Sequence, residues 1–188
     1  MTSETLISIF LGIGLAASVG FRVFLPLFAL SLSSYFGIWE LNESWQWIGS
    51  TAALVTLGVA TLVEIFGYYI PYIDNLLDSI AVPLAAIAGT AVLVSTVADL
   101  SPEITWALAI IAGGGTAAAI SSASGATRLA STASTAGFAN PVVSTVETGT
   151  SIIMSIFSIF LPVVAFILVL IIAYVIFRVY KKIKPSKS

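Results

Sequence analysis

The 188-residue chain contains no cysteine and no histidine. The first absence excludes disulfides, thiolate metal sites and cysteine nucleophiles. The second removes the commonest general base and metal ligand. Charge is scarce as well. Asp, Glu, Lys and Arg make up 9% of the chain, where a soluble domain carries about 25%. A globule of this size could not cover its surface with so few charges, so a soluble fold is all but excluded. The net charge is −2, which provides no basic surface for nucleic acid. What is present is apolar: 59% hydrophobic residues and a mean hydropathy of +1.09. The chain reads as an integral membrane protein whose first partner is the lipid bilayer.

A membrane helix needs about 20 apolar residues. Five segments meet that length: 5–36, 50–72, 81–98, 104–136 and 145–180. The expected fold is all-α, a polytopic bundle of five spans. The first, fourth and fifth segments are longer than a bilayer is thick, so they must tilt, kink or break. Gly20 and Pro26, Gly125, and Pro162 are the breakers. A re-entrant pair in place of one span, or a sixth span, follows if they act fully. The connections carry Glu40 and Glu43, Asp74 and Asp78, and Asp99 and Glu103. Trp39, Trp45, Trp47, Trp106 and Tyr180 flank the segments as interfacial aromatics do.

Residues 1–180 form one transmembrane domain on this reading, and 181–188 a basic tail. Arg178 at the end of the last segment and Lys181, Lys182, Lys184 and Lys187 after it place the C-terminus in the cytoplasm. Five spans then put the N-terminus, with Glu4 and no basic residue, outside. The first segment lacks a positive n-region and is too long for a cleavable signal. Residues 185–188 read as a short disordered tail.

Besides Arg178 near the end of the last one, four charges fall inside the segments: Arg22, Glu64, Arg128 and Glu147. Each costs about 2.5–3.5 kcal/mol on insertion scales, so each must face protein or water. Helix neighbours lie three and four positions apart. At that spacing Arg22 shares a face with Ser18 and Pro26, and Glu64 with Thr56, Ala60 and Gly67. Arg128 lies with Ser121, Ser124, Ser131 and Thr135, and Glu147 with Ser144, Ser151, Ser155 and Ser158. Two readings follow. The charges are buried salt bridges that specify packing, or they line a polar path through the membrane. Segment four is almost entirely Gly, Ala, Ser and Thr from 112 to 139. It is either the central, tightly packed helix or irregular at Gly113-Gly114-Gly115. In the second case exposed N–H groups and hydroxyls beside Arg128 form a small anion or carboxylate site.

The two ends of the chain also echo one another. Gly14-Leu15-Ala16-Ala17, Gly20, Arg22 and Pro26 precede Val63-Glu64. Gly115-Thr116-Ala117-Ala118, Gly125, Arg128 and Pro141 precede Val146-Glu147. With five spans the two units would be inverted, giving a weak inverted repeat of the transporter kind.

Three stretches go beyond composition: Gly20-Phe21-Arg22-Val23-Phe24-Leu25-Pro26; Pro71-Tyr72-Ile73-Asp74 with Asp78, Pro83 and Gly89; and Thr135-Ala136-Gly137-Phe138-Ala139-Asn140-Pro141-Val142-Val143-Ser144 with Glu147. Together they resemble the bacterial membrane-protein family of the domain of unknown function DUF4126, over roughly residues 12–149. The resemblance implies a small polytopic protein of the bacterial inner membrane, and implies no activity. The chain departs from the family pattern at Gly67-Tyr68-Tyr69, where charged residues are expected. The motif residues have a physical reading of their own. Asn140-Pro141 is a helix stop and restart, with Pro141 in the new first turn and Asn140 as its cap. Asp74 and Asp78, four apart, are either a solvated acidic edge or a pair able to hold a divalent cation with water.

Enzyme chemistry is argued against by what is missing. Zinc hydrolysis lacks His and Cys ligands. A Ser-Lys dyad lacks an intramembrane lysine, since every lysine lies beyond residue 180. The run Gly113-Gly114-Gly115 is not followed by the Gly-Lys-Ser of a phosphate loop. No cofactor is expected. The expected function is a small transporter or channel with a path lined by Arg22, Glu64, Arg128, Glu147, Asn140, Ser144 and Ser124, for a small anion or carboxylate. The alternative is a non-transporting scaffold or assembly protein whose buried charges are structural salt bridges. A small ion or metabolite and a second copy of the chain are the partners these readings bring.

Overall fold

The computed structural model describes residues 2–183, so Lys184, Lys187 and the 185–188 tail lie outside it. It contains helices and no strand among the described residues. In chain order they are α1 (Ser3–Val19), α2 (Phe24–Tyr35), α3 (Thr51–Gly67), α4 (Pro71–Thr96), α5 (Pro102–Leu108), α6 (Gly115–Thr135), α7 (Asn140–Phe160) and α8 (Pro162–Ile183). A 3-10 turn, Glu43–Gly49, leads into α3 at an angle of 63°. A π-helical turn, Ala109–Gly114, joins α5 to α6 without a break. Four stretches are long and apolar enough to span a membrane, and the bent pair ending in α3 makes five.

The first segment is not one span. α1 runs past α7 in the opposite direction: Gly14 lies against Ser158, and Ser18 bonds Ser151 and Ser155. The chain breaks over Gly20–Val23, and α2 returns until Trp39 Nε1 donates to the Ile159 carbonyl. α1 and α2 are therefore a helical hairpin, with both open ends at the tryptophan-bearing end of the bundle. Its tip lies level with Glu147. Pro26 sits in the first turn of α2, where a missing N–H is harmless. It starts a helix here and does not kink one.

The fifth segment, read as one span over 145–180, is two. Leu161 adopts φ −139°, and Pro162 opens α8, since the residue before proline avoids the α region. The hairpin contributes no crossing and the fifth segment contributes two. The total reaches five when the bent pair counts as one crossing, with the described ends of the chain then at opposite ends of the bundle. Segment three starts ten residues earlier than its apolar run, because Pro71 is a good first residue for α4.

Segment four is not the central helix. That place belongs to α1, whose Leu11, Leu15, Ala16 and Ala17 are buried and which packs on α4, α6, α7 and α8. The irregularity expected at Gly113-Gly114-Gly115 is a π turn, and the serine-rich run that follows is regular α-helix. The glycines there serve a close crossing with α4. A Cβ on Gly113 would lie 2.5 Å from the Gly89 carbonyl oxygen, and one on Gly89 would lie 2.8 Å from that of Gly113. Nor is the internal echo inverted. Gly20 meets Ala117 and Ile120, and Arg22 lies by Ser124 and Arg128. So α1 and α6 run in the same direction.

Candidate functional site

The polar stripe of α7 begins the site. Ser144, Glu147, Ser151, Ser155 and Ser158 recur at helical spacing and are all buried. Their face meets α1, where the Ser18 hydroxyl reaches Ser151 Oγ at 2.9 Å and Ser155 Oγ at 2.8 Å. This lower part of the stripe is a hydrogen-bonded seam between helices.

At the hairpin tip the seam becomes charged. Arg22 is 1% exposed. Its Nε donates to Thr148 Oγ1, Nη1 to the Phe21 carbonyl and to Glu147 Oε2, and Nη2 to both oxygens of Ser144. A guanidinium has five N–H donors, and here all five are taken. Arg128, on α6, is 2% exposed. It bonds both oxygens of Glu147, Oε1 at 3.2 Å, and contacts Asp74 Oδ1 at 2.5 Å and Ser144 Oγ at 3.3 Å. Ser124, one turn before Arg128, donates to Glu147 Oε1. One carboxylate thus joins two guanidiniums. Both also stack on a single ring: Arg22 Cζ lies 4.1 Å and Arg128 Cζ 4.3 Å from the Tyr68 centroid, a geometry suited to cation–π attraction.

Arg22, Arg128, Glu147, Ser144 and Ser124 thus converge. Glu64 joins the same region in another role. It forms no ion pair among the described residues. Its two oxygens accept the N–H groups of Val23 at 2.7 Å and Phe24 at 2.9 Å. It caps α2 from a different helix, at the end where the dipole favours a carboxylate. Asn140 is not the cap expected of it. Its Nδ2 donates to Asp74 Oδ2 and Thr132 Oγ1, both at 3.1 Å, and Ala139 takes the capping position without a side-chain bond.

Asp74 and Asp78 are a correction. Asp74 is 2% exposed and holds Arg128 and Asn140, so it is no solvated edge. Among the described residues no group of three or more His, Cys, Asp or Glu side chains is placed to hold a metal ion. Asp78 approaches Arg128 Nε only to 3.7 Å. Sequence reading placed both in a connection because their charge interrupts the apolar run. The clue to the contrary was Pro71, which starts the helix before them. Tyr68 was also missed, since a tyrosine at the end of a span reads as an interfacial anchor.

The sequence pattern of the domain of unknown function DUF4126 matches residues 9–182. The chain belongs to this family. No curated protein and no solved structure matches it. In this DUF4126 protein several hollows flank the charged cluster, among them one of about 420 Å3 against Glu64 and Tyr68. A cavity of about 350 Å3 opens at the end that bears Lys181 and Lys182, and reaches Asp74, Asn140, Tyr68 and Tyr69. A second, also about 350 Å3 and mostly apolar, opens sideways between α6, α7 and α8 and touches Glu147 and Ser124. Tyr68 and Asp74 form the wall of the lysine-end cavity nearest Arg128.

Proposed function

We propose that this DUF4126 protein is a small membrane transporter or channel. Its polar path runs from the cavity at the lysine-bearing end, past Asp74 and Arg128, to the hairpin tip at Arg22 and Glu64. The observation that carries this reading is the cavity at Asp74 and Asn140, which brings open space to the buried ion-pair cluster. A broken helix ending at the same depth supports it, since interrupted helices lining a polar site are a common transporter plan. The lysine-bearing end faces the cytoplasm of a bacterial inner membrane in this reading. The chain is not an enzyme, and the arginines do not recruit an anion. An incoming carboxylate would find no free N–H on Arg22 and would have to displace Glu147 or Ser144. A small cation or a proton is the class the carboxylates suit.

A scaffold reading draws on the same saturation, because a fully bonded guanidinium is what a static clamp requires. Proteoliposomes separate the two. Under a sodium or proton gradient, wild type is expected to pass cation, and Arg128→Ala and Glu147→Gln to lose most of that flux. No flux of any small ion from wild type, with the protein folded and inserted, favours the scaffold, and homo-oligomers would then be its natural form.

A further inference from the structure

The charged cluster is unbalanced. Two guanidiniums, Arg22 and Arg128, meet three buried carboxylates, Glu64, Asp74 and Glu147, and the partly exposed Asp78. Excess buried charge of one sign is unfavourable unless a counter-charge joins it. The space for one lies under the hairpin tip. A cavity of about 40 Å3 is lined there by Val19, Gly20, Glu64, Asp78 and Ser121, with Arg22 and Arg128 at its side. A water molecule's share of liquid volume is about 30 Å3, so the cavity has room for one occupant of that size.

Several oxygens of the lining accept no hydrogen bond from a described group. Ser121 is 5% exposed and no described group hydrogen-bonds its hydroxyl. Asp78 has a quarter of its side chain open, and its 3.7 Å approach to Arg128 is too long for a hydrogen bond. Val19 and Gly20 end α1. The N–H groups that would have continued that helix, those of Val23 and Phe24, go to Glu64 instead. No described group donates to the carbonyls of Val19 and Gly20, and the negative end of the α1 dipole lies here. The two arginines oppose a cation electrostatically, but their N–H groups are committed to Glu147, Ser144, Asp74 and Phe21.

We infer that this cavity binds one monovalent cation of sodium size. Its ligands are the carboxylates of Asp78 and Glu64, the Ser121 hydroxyl and the carbonyls that end α1. Each Glu64 oxygen keeps a lone pair beyond the one its backbone N–H occupies. Carbonyls at the C-terminal end of a broken helix are a known way of holding such ions inside membranes. Two carboxylates beside two guanidiniums are too weak a field for a divalent ion. The site does not depend on transport, because a cation that is bound and never moved satisfies it.

The test is the thermal midpoint of the purified full chain in sodium chloride against choline chloride, at equal ionic strength and fixed pH. A ligand that binds only the folded state raises the midpoint saturably. Sodium is expected to do so and choline not. Asp78→Asn is expected to abolish the rise. Ser121→Ala is expected to need about tenfold more sodium for the same shift. Ser122→Ala, on the exposed side of α6, is expected to leave the response unchanged. No saturable rise in wild type overturns the site, and so does an equal response in Ser121→Ala and Ser122→Ala. If Asp78→Asn fails to fold, that serine pair decides. Stabilisation by acid in choline that Asp78→Asn removes, with no effect of sodium, identifies a proton as the occupant and also overturns it. Sodium-dependent stabilisation without flux in vesicles leaves this site standing and removes the transport reading alone.

Discussion

Arg128 ties three helices through two carboxylates, so its removal does more than delete a bond. Arg128→Met leaves Asp74 without its cation and Glu147 with Arg22 alone, both carboxylates being almost fully buried. Breaking a buried pair from one side costs about 3–5 kcal/mol, whereas replacing both partners is often close to neutral. Arg128→Met is therefore expected to lower unfolding stability by that amount, and adding Asp74→Asn to recover part of it. Chemical unfolding in detergent across the double-mutant cycle measures this, and strictly additive losses contradict the pairing. Residues at this scale were unequally legible. Arg22, Arg128 and Glu147 stood out because a charge within an apolar run must find a partner. Asp74 did not, because charges at the edge of an apolar run look like a loop. Tyr68 gave no signal, since its role depends on two guanidiniums that arrive from other segments.

Elements show the same division. Pro162 and Pro141 marked true helix starts, because a missing N–H and a restricted preceding residue are local facts. The hairpin of α1 and α2 needed more. Its tip is held by Glu64, contributed by α3, which accepts the first free N–H groups of α2. Glu64→Ala leaves those donors buried and unpaired, at about 1–3 kcal/mol for such a loss. Lower thermal stability with faster proteolysis at residues 20–24 is expected, and a wild-type profile contradicts the capping role. The crossing of α4 with the π turn gives a second element-scale prediction. Gly113→Leu would drive a side chain into the Gly89 carbonyl and should destabilise by about 1–3 kcal/mol. Gly115→Ala has no heavy atom within 4 Å of the added carbon and should be neutral or slightly stabilising. Thermal midpoints of the two variants check the contrast, and equal midpoints contradict it.

On the scale of the molecule, the arrangement of crossings is the testable claim. A single-span first segment would put Ser3 and Asn42 on opposite sides of the membrane. The hairpin puts them on the same side. A single-span fifth segment would hide Leu161 in the bilayer, whereas the two-helix arrangement places it at the tryptophan end. The absence of cysteine makes single-cysteine labelling direct. Ser3→Cys, Asn42→Cys and Leu161→Cys should react from one side with a membrane-impermeant reagent, and Lys182→Cys from the other. Labelling of Ser3→Cys and Asn42→Cys from opposite sides overturns the hairpin.

Composition by itself determined that the chain belongs in a bilayer and is helical, because apolar runs without water leave the backbone no other way to satisfy its hydrogen bonds. It also determined which charges must turn inward. Only the tertiary structure decided what they meet. A broken helix exposes N–H groups and carbonyls that pull Glu64 to one side of the tip and leave oxygens free on the other. The direction of each helix decides whether a segment crosses or returns, and that direction is set by contacts between residues more than a hundred positions apart, such as Ser18 with Ser151. No local pattern encodes them.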